Sequence, residues 1–152
     1  MSQRPTLHVT IVTAQQVVFT GEAEMVMAPG ADGQLGILPR HAPLLTTLEL
    51  GELRVRQHGQ DEGIFVAGGF LEVNRDTVTI LADDAERARD IVEEHAREAR
   101  SRAEATLARP GISADVEATA AAELERAVGR LKVAELHRAR HHGRPPRVPQ
   151  ED

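Results

Sequence analysis

The 152-residue chain has no cysteine, no tryptophan and no tyrosine, and only three phenylalanines. Without cysteine there is no disulfide framework and no thiol chemistry, and any zinc site would have to be built from His and carboxylates alone. So few aromatics weigh against stacking on bases and against carbohydrate platforms, both of which need aromatic faces. An excess of basic charge is also missing. The formal net charge of -6 opposes non-specific binding to nucleic-acid phosphates. Apolar runs stop after a handful of residues, far short of the roughly 20 that cross a bilayer. The opening Met1-Ser2-Gln3-Arg4-Pro5-Thr6 lacks an apolar core of the kind a secretory signal carries. No direct membrane insertion is therefore expected, and work at a membrane would need another protein as anchor. What the chain does have is enough apolar residues, 41%, to build a core in one domain or two small ones.

Composition changes abruptly near Asp83. Before it Val, Ile, Leu, Thr and Gly prevail; after it Ala, Glu and Arg do. Those mixtures favour strands and helices respectively. In the first part Leu7, Val9 and Ile11 alternate with His8, Thr10 and Val12, and Leu53 and Val55 alternate with Arg54 and Arg56, the pattern of half-buried strands. Val17-Val18-Phe19, Met25-Val26-Met27, Ile64-Phe65-Val66, Phe70–Val73 and Val78–Leu81 add further short strands, with turn chemistry at His58–Gly63 and Asn74-Arg75-Asp76. Many short strands with close turns predict a β sandwich or flattened barrel.

In the second part Asp83-Asp84 offers an N-cap, and Ala85, Ala88, Val92, Ala96, Ala99, Ala103 and Leu107 recur at helical spacing. Arg109-Pro110-Gly111 ends that helix and Ser113 or Asp115 caps a second. Its stripe is Val116, Ala120, Leu124, Ala127 or Val128, Leu131 and Ala134, with Gly129 inside it at a cost of about 1 kcal/mol. An Ala-rich stripe permits close approach but buries little area, so the hairpin is expected to be loosely held and able to take two states. The expected architecture is α+β: a β sandwich over 1–83, an antiparallel two-helix hairpin over 84–142, and a disordered tail over 143–152.

A search for chemistry finds no nucleophile, base and oxyanion set. His41, between Pro39 and Pro43, has no Ser, Cys or carboxylate beside it, and reads as a rigid loop residue rather than a general base. Gly30–Gly36 lacks the spacing of a phosphate-binding loop and no helix follows it; glycine there reads as a strand connection of unusual φ. His137 and His141 stand at i,i+4 with His142 adjacent, but among Arg138, Arg140, Arg144 and Arg147 they read as a basic helix end, not a metal site. Asp83, Asp84 and Glu86 read as capping charge. Arg126, Arg130, Lys132, Arg138 and Arg140 concentrate positive charge late in the second helix. They complement the helix dipole, or form a probe for an acidic partner surface. No metal and no cofactor are expected.

Gly21-Glu22-Ala23-Glu24, Gly36–Leu45, Phe65–Val73, Val78–Asp83 and Arg130–Leu136 together resemble the epsilon subunit of bacterial F-type ATP synthases, in the right order over about residues 6 to 140. The resemblance implies a non-catalytic central-stalk rotor subunit at the cytoplasmic face of the bacterial plasma membrane. Its partners would be the gamma subunit, the membrane c-ring and, through the hairpin, the catalytic beta and alpha subunits. Gly33, Gln34, Leu35 and His41 would face the c-ring and gamma; relatives often carry Glu at the Gln34 position. Arg126, Arg130 and Lys132 would contact beta when the extended hairpin inhibits hydrolysis. Some relatives bind ATP in the folded hairpin through I/L-D-x-x-R-A. The matching stretch is Ile91-Val92-Glu93-Glu94-His95-Ala96, with Glu86, Arg102, Arg126 and Arg130 at other positions those relatives use. Val92 cannot accept a hydrogen bond and neutral His95 gives phosphate less than Arg, so ATP binding is expected to be weak or absent.

Overall fold

A computed structural model describes residues 4–142. Residues 1–3 and the expected disordered tail, 143–152, lie outside the described residues. The first two thirds form eight strands: β1 (Leu7–Val12), β2 (Val17–Ala23), β3 (Met25–Gly30), β4 (Gly33–Ile37), β5 (Leu44–Thr47), β6 (Gly51–Gln57), β7 (Gln60–Asn74) and β8 (Thr77–Arg87). They run in the order β2-β1-β8-β7-β6-β3-β4, with β5 paired to β7. Neighbours are antiparallel except β1 and β8.

The alternation read from the sequence is the alternation that folds. Leu7, Val9 and Ile11 are buried, as are Leu53 and Val55, and they join Ile64, Val66, Leu71 and Ile80 in one core. The 15-residue β7 serves both layers because it bends at Gly68-Gly69, where φ is +71 and +114. A Cβ on Gly69 would fall 2.0 Å from the Leu81 carbonyl oxygen, so only glycine fits there. Before the bend β7 pairs with β6, and after it with β5. The tight turns at His58-Gly59 and Arg75-Asp76 have φ positive at both residues, the twist that two-residue hairpins need.

One expectation is corrected. Asp83-Asp84 does not cap a helix. β8 continues to Arg87, pairing Asp84 with Ala67, Ala85 with Val66 and Glu86 with Phe65. Ala85 and Ala88 fit a helical stripe on paper, but here they are buried by strand pairing and by a single 3-10 turn, Ala88–Asp90. Long-range pairing with β7 outweighs their helix propensity. The first helix, α1, spans Glu93–Leu107 behind an N-cap, Val92, whose side chain bonds no backbone amide. Gly111, at φ +72, carries the chain round. Of the two candidate caps it is Ser113 that acts, accepting the Val116 amide at 3.2 Å. The second helix, α2, spans Ala114–His142.

The expected α2 stripe is only partly the buried one. Ala120, Ala127 and Ala134 are buried, but Val116 and Val128 are exposed, and Gly129 and Val133 are buried instead. The difference arises because α2 has two neighbours. Val133 packs with Phe65, Ala67 and Ala88 on the outer face of the sheet, while α1 covers another side. Phe65 is thus fully buried although it points away from the sandwich core.

Candidate functional site

A cleft of about 490 Å³ opens between the end of β8 and the two helices. Asp84 and Glu86 come from β8, which places them because the strand outruns the point where composition changes. Val92, His95, Ala96, Ala99 and Arg102 come from α1; Glu123, Arg126, Ala127 and Arg130 come from α2. The Ala residues keep the helices close and the floor shallow, so long charged side chains dominate the walls.

Arg130 organises this site. Its Nη2 donates to Asp84 Oδ2 at 2.5 Å, its Nε lies 3.4 Å from Glu86 Oε1, and its guanidinium carbon sits 4.6 Å above the centre of the Phe65 ring. An arginine can do all three because its planar fork presents several donors at once and its face stacks on an aromatic. Burial raises the Glu86 carboxyl above its ordinary value, and the Arg130 charge and hydrogen bond oppose that rise. Arg102 and Arg126 form no ion pair among the described residues. They are the cations left to meet an anion in the cleft.

Of the residues the sequence nominated for a nucleotide, Glu86, His95, Ala96, Arg102, Arg126 and Arg130 all line this cleft. Ile91 does not; it packs half-buried against the Phe65 cluster. The residues nominated for the c-ring and gamma are not gathered in one place. Gly33, Gln34 and Leu35 lie in the sheet-edge strand β4, with Gly33 and Gln34 beside Arg140 of α2. His41 follows the other end of β4, its Nδ1 2.7 Å from the Ala42 carbonyl oxygen, while the Arg40 amide donates to Asp76 in the β7–β8 turn. The nominated inhibitory residues are also divided. Arg126 and Arg130 face the cleft, whereas Lys132 lines an apolar groove with Leu50, Leu124, Val128 and Leu136.

Three structural features escaped sequence reasoning. Asp84 was taken for a cap, Phe65 was read only as part of a short strand, and the pair Glu52–Arg140, at 2.5 and 3.0 Å, joins residues 88 apart. For Phe65 a signal existed: the unbroken run Ile64-Phe65-Val66 marks a strand covered on both faces. No group of three metal-ligating side chains occurs among the described residues, and no described helix is long and apolar enough to cross a membrane.

Residues 6–88 match the family model described as the ATP synthase delta/epsilon chain beta-sandwich domain, which ends where the 3-10 turn begins. Similar proteins include the ATP synthase epsilon chain of Dehalococcoides mccartyi, 47% identical over 87% of this chain and 94% of the relative. That of Desulforamulus reducens is 48% identical over 86% and 98%, and that of Acidithiobacillus ferridurans 50% identical over 86% and 92%. In fold, the chain is similar to one in the Euglena gracilis mitochondrial ATP synthase OSCP/F1/c-ring structure, with a TM-score of 0.71 over 90% of this chain and 85% of that one at 21% identity. A chain of the Tetrahymena thermophila mitochondrial ATP synthase central stalk and c-ring gives 0.54 over 88% and 99% at 14% identity. With its sandwich matched end to end and its relatives matched through the helices as well, the chain belongs to the family of ATP synthase epsilon chains.

Proposed function

We propose that this protein is the non-catalytic rotor subunit through which c-ring rotation is coupled by gamma to the catalytic head of a proton-translocating ATP synthase. The sandwich would be the coupling body, held between gamma and the c-ring. Gln34 and its neighbours on the edge strand, and the His41 loop, would supply contacts there. The helices would be a regulatory arm. The observation that carries this second part is the division of the basic residues in the docked hairpin: Arg130 is engaged by Asp84, Glu86 and Phe65. A probe for the acidic surface of a beta subunit would have to leave those partners before it could act. Docking thus holds the arm in a silent state, and release frees its charge.

The test is ATP hydrolysis by a reconstituted head with gamma, comparing the full chain with one ending at Ile91, after the 3-10 turn. A several-fold higher rate without the helices identifies them as an inhibitory arm. An unchanged rate, with gamma still bound by both forms, removes that role and leaves coupling to the sandwich.

A second reading is a nucleotide-sensing switch, favoured by one observation, the cleft in which Arg102 and Arg126 stand beside Glu86 and His95. Two features oppose strong binding. Val92 brings an apolar side chain to the position of the motif's acceptor, and Arg130 is already matched by two carboxylates. Isothermal titration is expected to show ATP binding weaker than micromolar or none.

A further inference from the structure

The C-terminal half of α2 lies against β6 and β7 with a histidine pair in the contact region. His137 and His141 stand one helical turn apart with ring centroids 4.2 Å from each other. His137 is half-buried, and its Nδ1 is buried with no hydrogen-bond partner. An imidazole lone pair tolerates such a place when the ring is neutral. Protonation would put an N–H there, which costs far more when buried without an acceptor.

The surrounding carboxylates are already ion-paired, although Glu62 Oε1 and Arg140 Nε are, like His137 Nδ1, buried without a hydrogen bond. On β6, Glu52 is held by both Arg140 nitrogens, and Arg54 lies 3.7 Å from it. On β7, Glu62 faces Arg87 of β8 at 3.5 Å and Arg89 of the 3-10 turn at 3.6 Å, and Asp61 is taken by Arg56 at 2.8 Å. On α2 itself Arg140 stands between the two histidines in sequence, and Arg138 reaches Glu93 of α1 at 3.1 Å. Each nearby carboxylate therefore has at least one guanidinium before either imidazole is charged. A proton on His137 meets like charge from His141 and Arg140 and finds only Glu62 and Glu52 in opposition.

We propose that the His137–His141 pair makes the seating of α2's C-terminal half on β6 and β7 proton-sensitive, so that mild acid loosens it. The sign follows from linkage. Burial first, then the charges of His141 and Arg140, hold the docked His137 below its ordinary value near 6.5. The undocked state then binds more protons, and docking weakens as pH falls from that ordinary value through the docked one. The relevant range is mildly acidic and lies within reach of a cell, which sets this pair apart from the carboxylates around it.

The experiment is an NMR titration of the imidazole signals of the full chain, joined to amide-exchange protection factors for residues 133–142 at pH 7.8 and 5.8, corrected for intrinsic rates. His137 is expected to titrate below 6.5, and protection is expected to fall several-fold at the lower pH. His137→Gln should abolish most of that fall, and His141→Gln should reduce it. A His137 value at or above 6.5 would show that Glu62 and Glu52 prevail and would overturn the proposal. So would protection that does not change with pH, or a fall that persists in His137→Gln. Should His137→Gln fail to fold, the titration of the unaltered chain still decides the sign.

Discussion

Gly129 is the costliest residue in α2 by helix propensity, and its substitution gives the sharpest test of how the hairpin sits. A Cβ at this position would lie 2.8 Å from Phe65 Cε2 and 2.9 Å from Leu50 Cδ2. Leu50 is half-buried and has room to turn, but Phe65 is fully buried beneath Val133 and under the Arg130 guanidinium, so the ring cannot easily yield. Gly129→Ala therefore has two effects of opposite sign. It favours the helix by about 1 kcal/mol in both docked and undocked hairpins, which cancels from the docking equilibrium. Overpacking, about 1–3 kcal/mol, falls on the docked form alone. The docking constant is expected to drop roughly 5- to 150-fold while helical content holds or rises. Spin labels on cysteines introduced at exposed Thr20 and Glu135 would report docked and undocked populations by pulsed EPR across a urea series. The chain has no cysteine of its own to interfere. Circular dichroism would follow the helix. Phe65→Leu in the Gly129→Ala background should recover part of the loss, because it removes the ring edge that the new methyl meets. Docking in Gly129→Ala as strong as in the unaltered chain would refute the claim that glycine is there for close approach.

Three more expectations concern the cleft. Arg130→Ala should weaken docking by about 1–3 kcal/mol, from two charged contacts and one aromatic face, and Arg130→Lys should recover only part, since an ammonium cannot span both carboxylates and the ring; urea unfolding in a double-mutant cycle with Asp84→Asn checks this. Glu86 should titrate above its ordinary value of 4.5 by carboxyl NMR, and further above in Arg130→Ala, where burial is left unopposed. With a raised folded value, Glu86 contributes stability below 4.5 that is lost as pH rises through the folded value, so Glu86→Gln should flatten that part of the pH–stability curve. Val92→Asp should raise Tm by about 2–4 °C, because an aspartate N-cap is about 1 kcal/mol better than an apolar one. With His95→Arg added, ATP binding should become measurable by calorimetry; an ATP affinity no higher than that of the unaltered chain would count against the nucleotide reading of the cleft.

Much of the sandwich was legible because one physical rule dominates it. A strand with one wet face must alternate, and Leu7, Val9, Ile11, Leu53 and Val55 obey. The hairpin was harder for a matching reason. Alanine satisfies several environments, so Ala85 and Ala88 fitted a helical stripe as well as they fit the strand end and 3-10 turn that bury them. Spacing leaves Ala127 or Val128 as core; Ala127 is the buried one, and Val128 is exposed because α2 turns Gly129 and Val133 to the sheet. The membership of the cleft came by resemblance, not from spacing, and its central interaction was invisible to either. Nothing local ties Asp84 to Arg130 or Glu52 to Arg140; those pairs exist because the sheet's outer face receives a helix.

How the hairpin is attached also says how it must let go. α1 rests on α2, mainly through alanines such as Ala96, Ala103, Ala120 and Ala127, and the cleft separates it from the end of β8. The helix that touches the sheet is α2, and it does so through the Phe65 cluster and two arginines. Arg130 and Arg140 are ten residues apart, about 15 Å along the helix. One grips the end of β8 and the other the start of β6. Two anchors separated by that length fix both the position and the direction of α2, which a single apolar contact could not do. They also divide the work of release. Loss of the Arg140 anchor would allow the C-terminal half to lift while Arg130 and Phe65 still hold the rest. Loss of Arg130 would free the middle of α2 from the end of β8. Because α1 has little else to hold it, undocking α2 carries both helices away, so the hairpin moves as one arm whose two grips can be broken in turn.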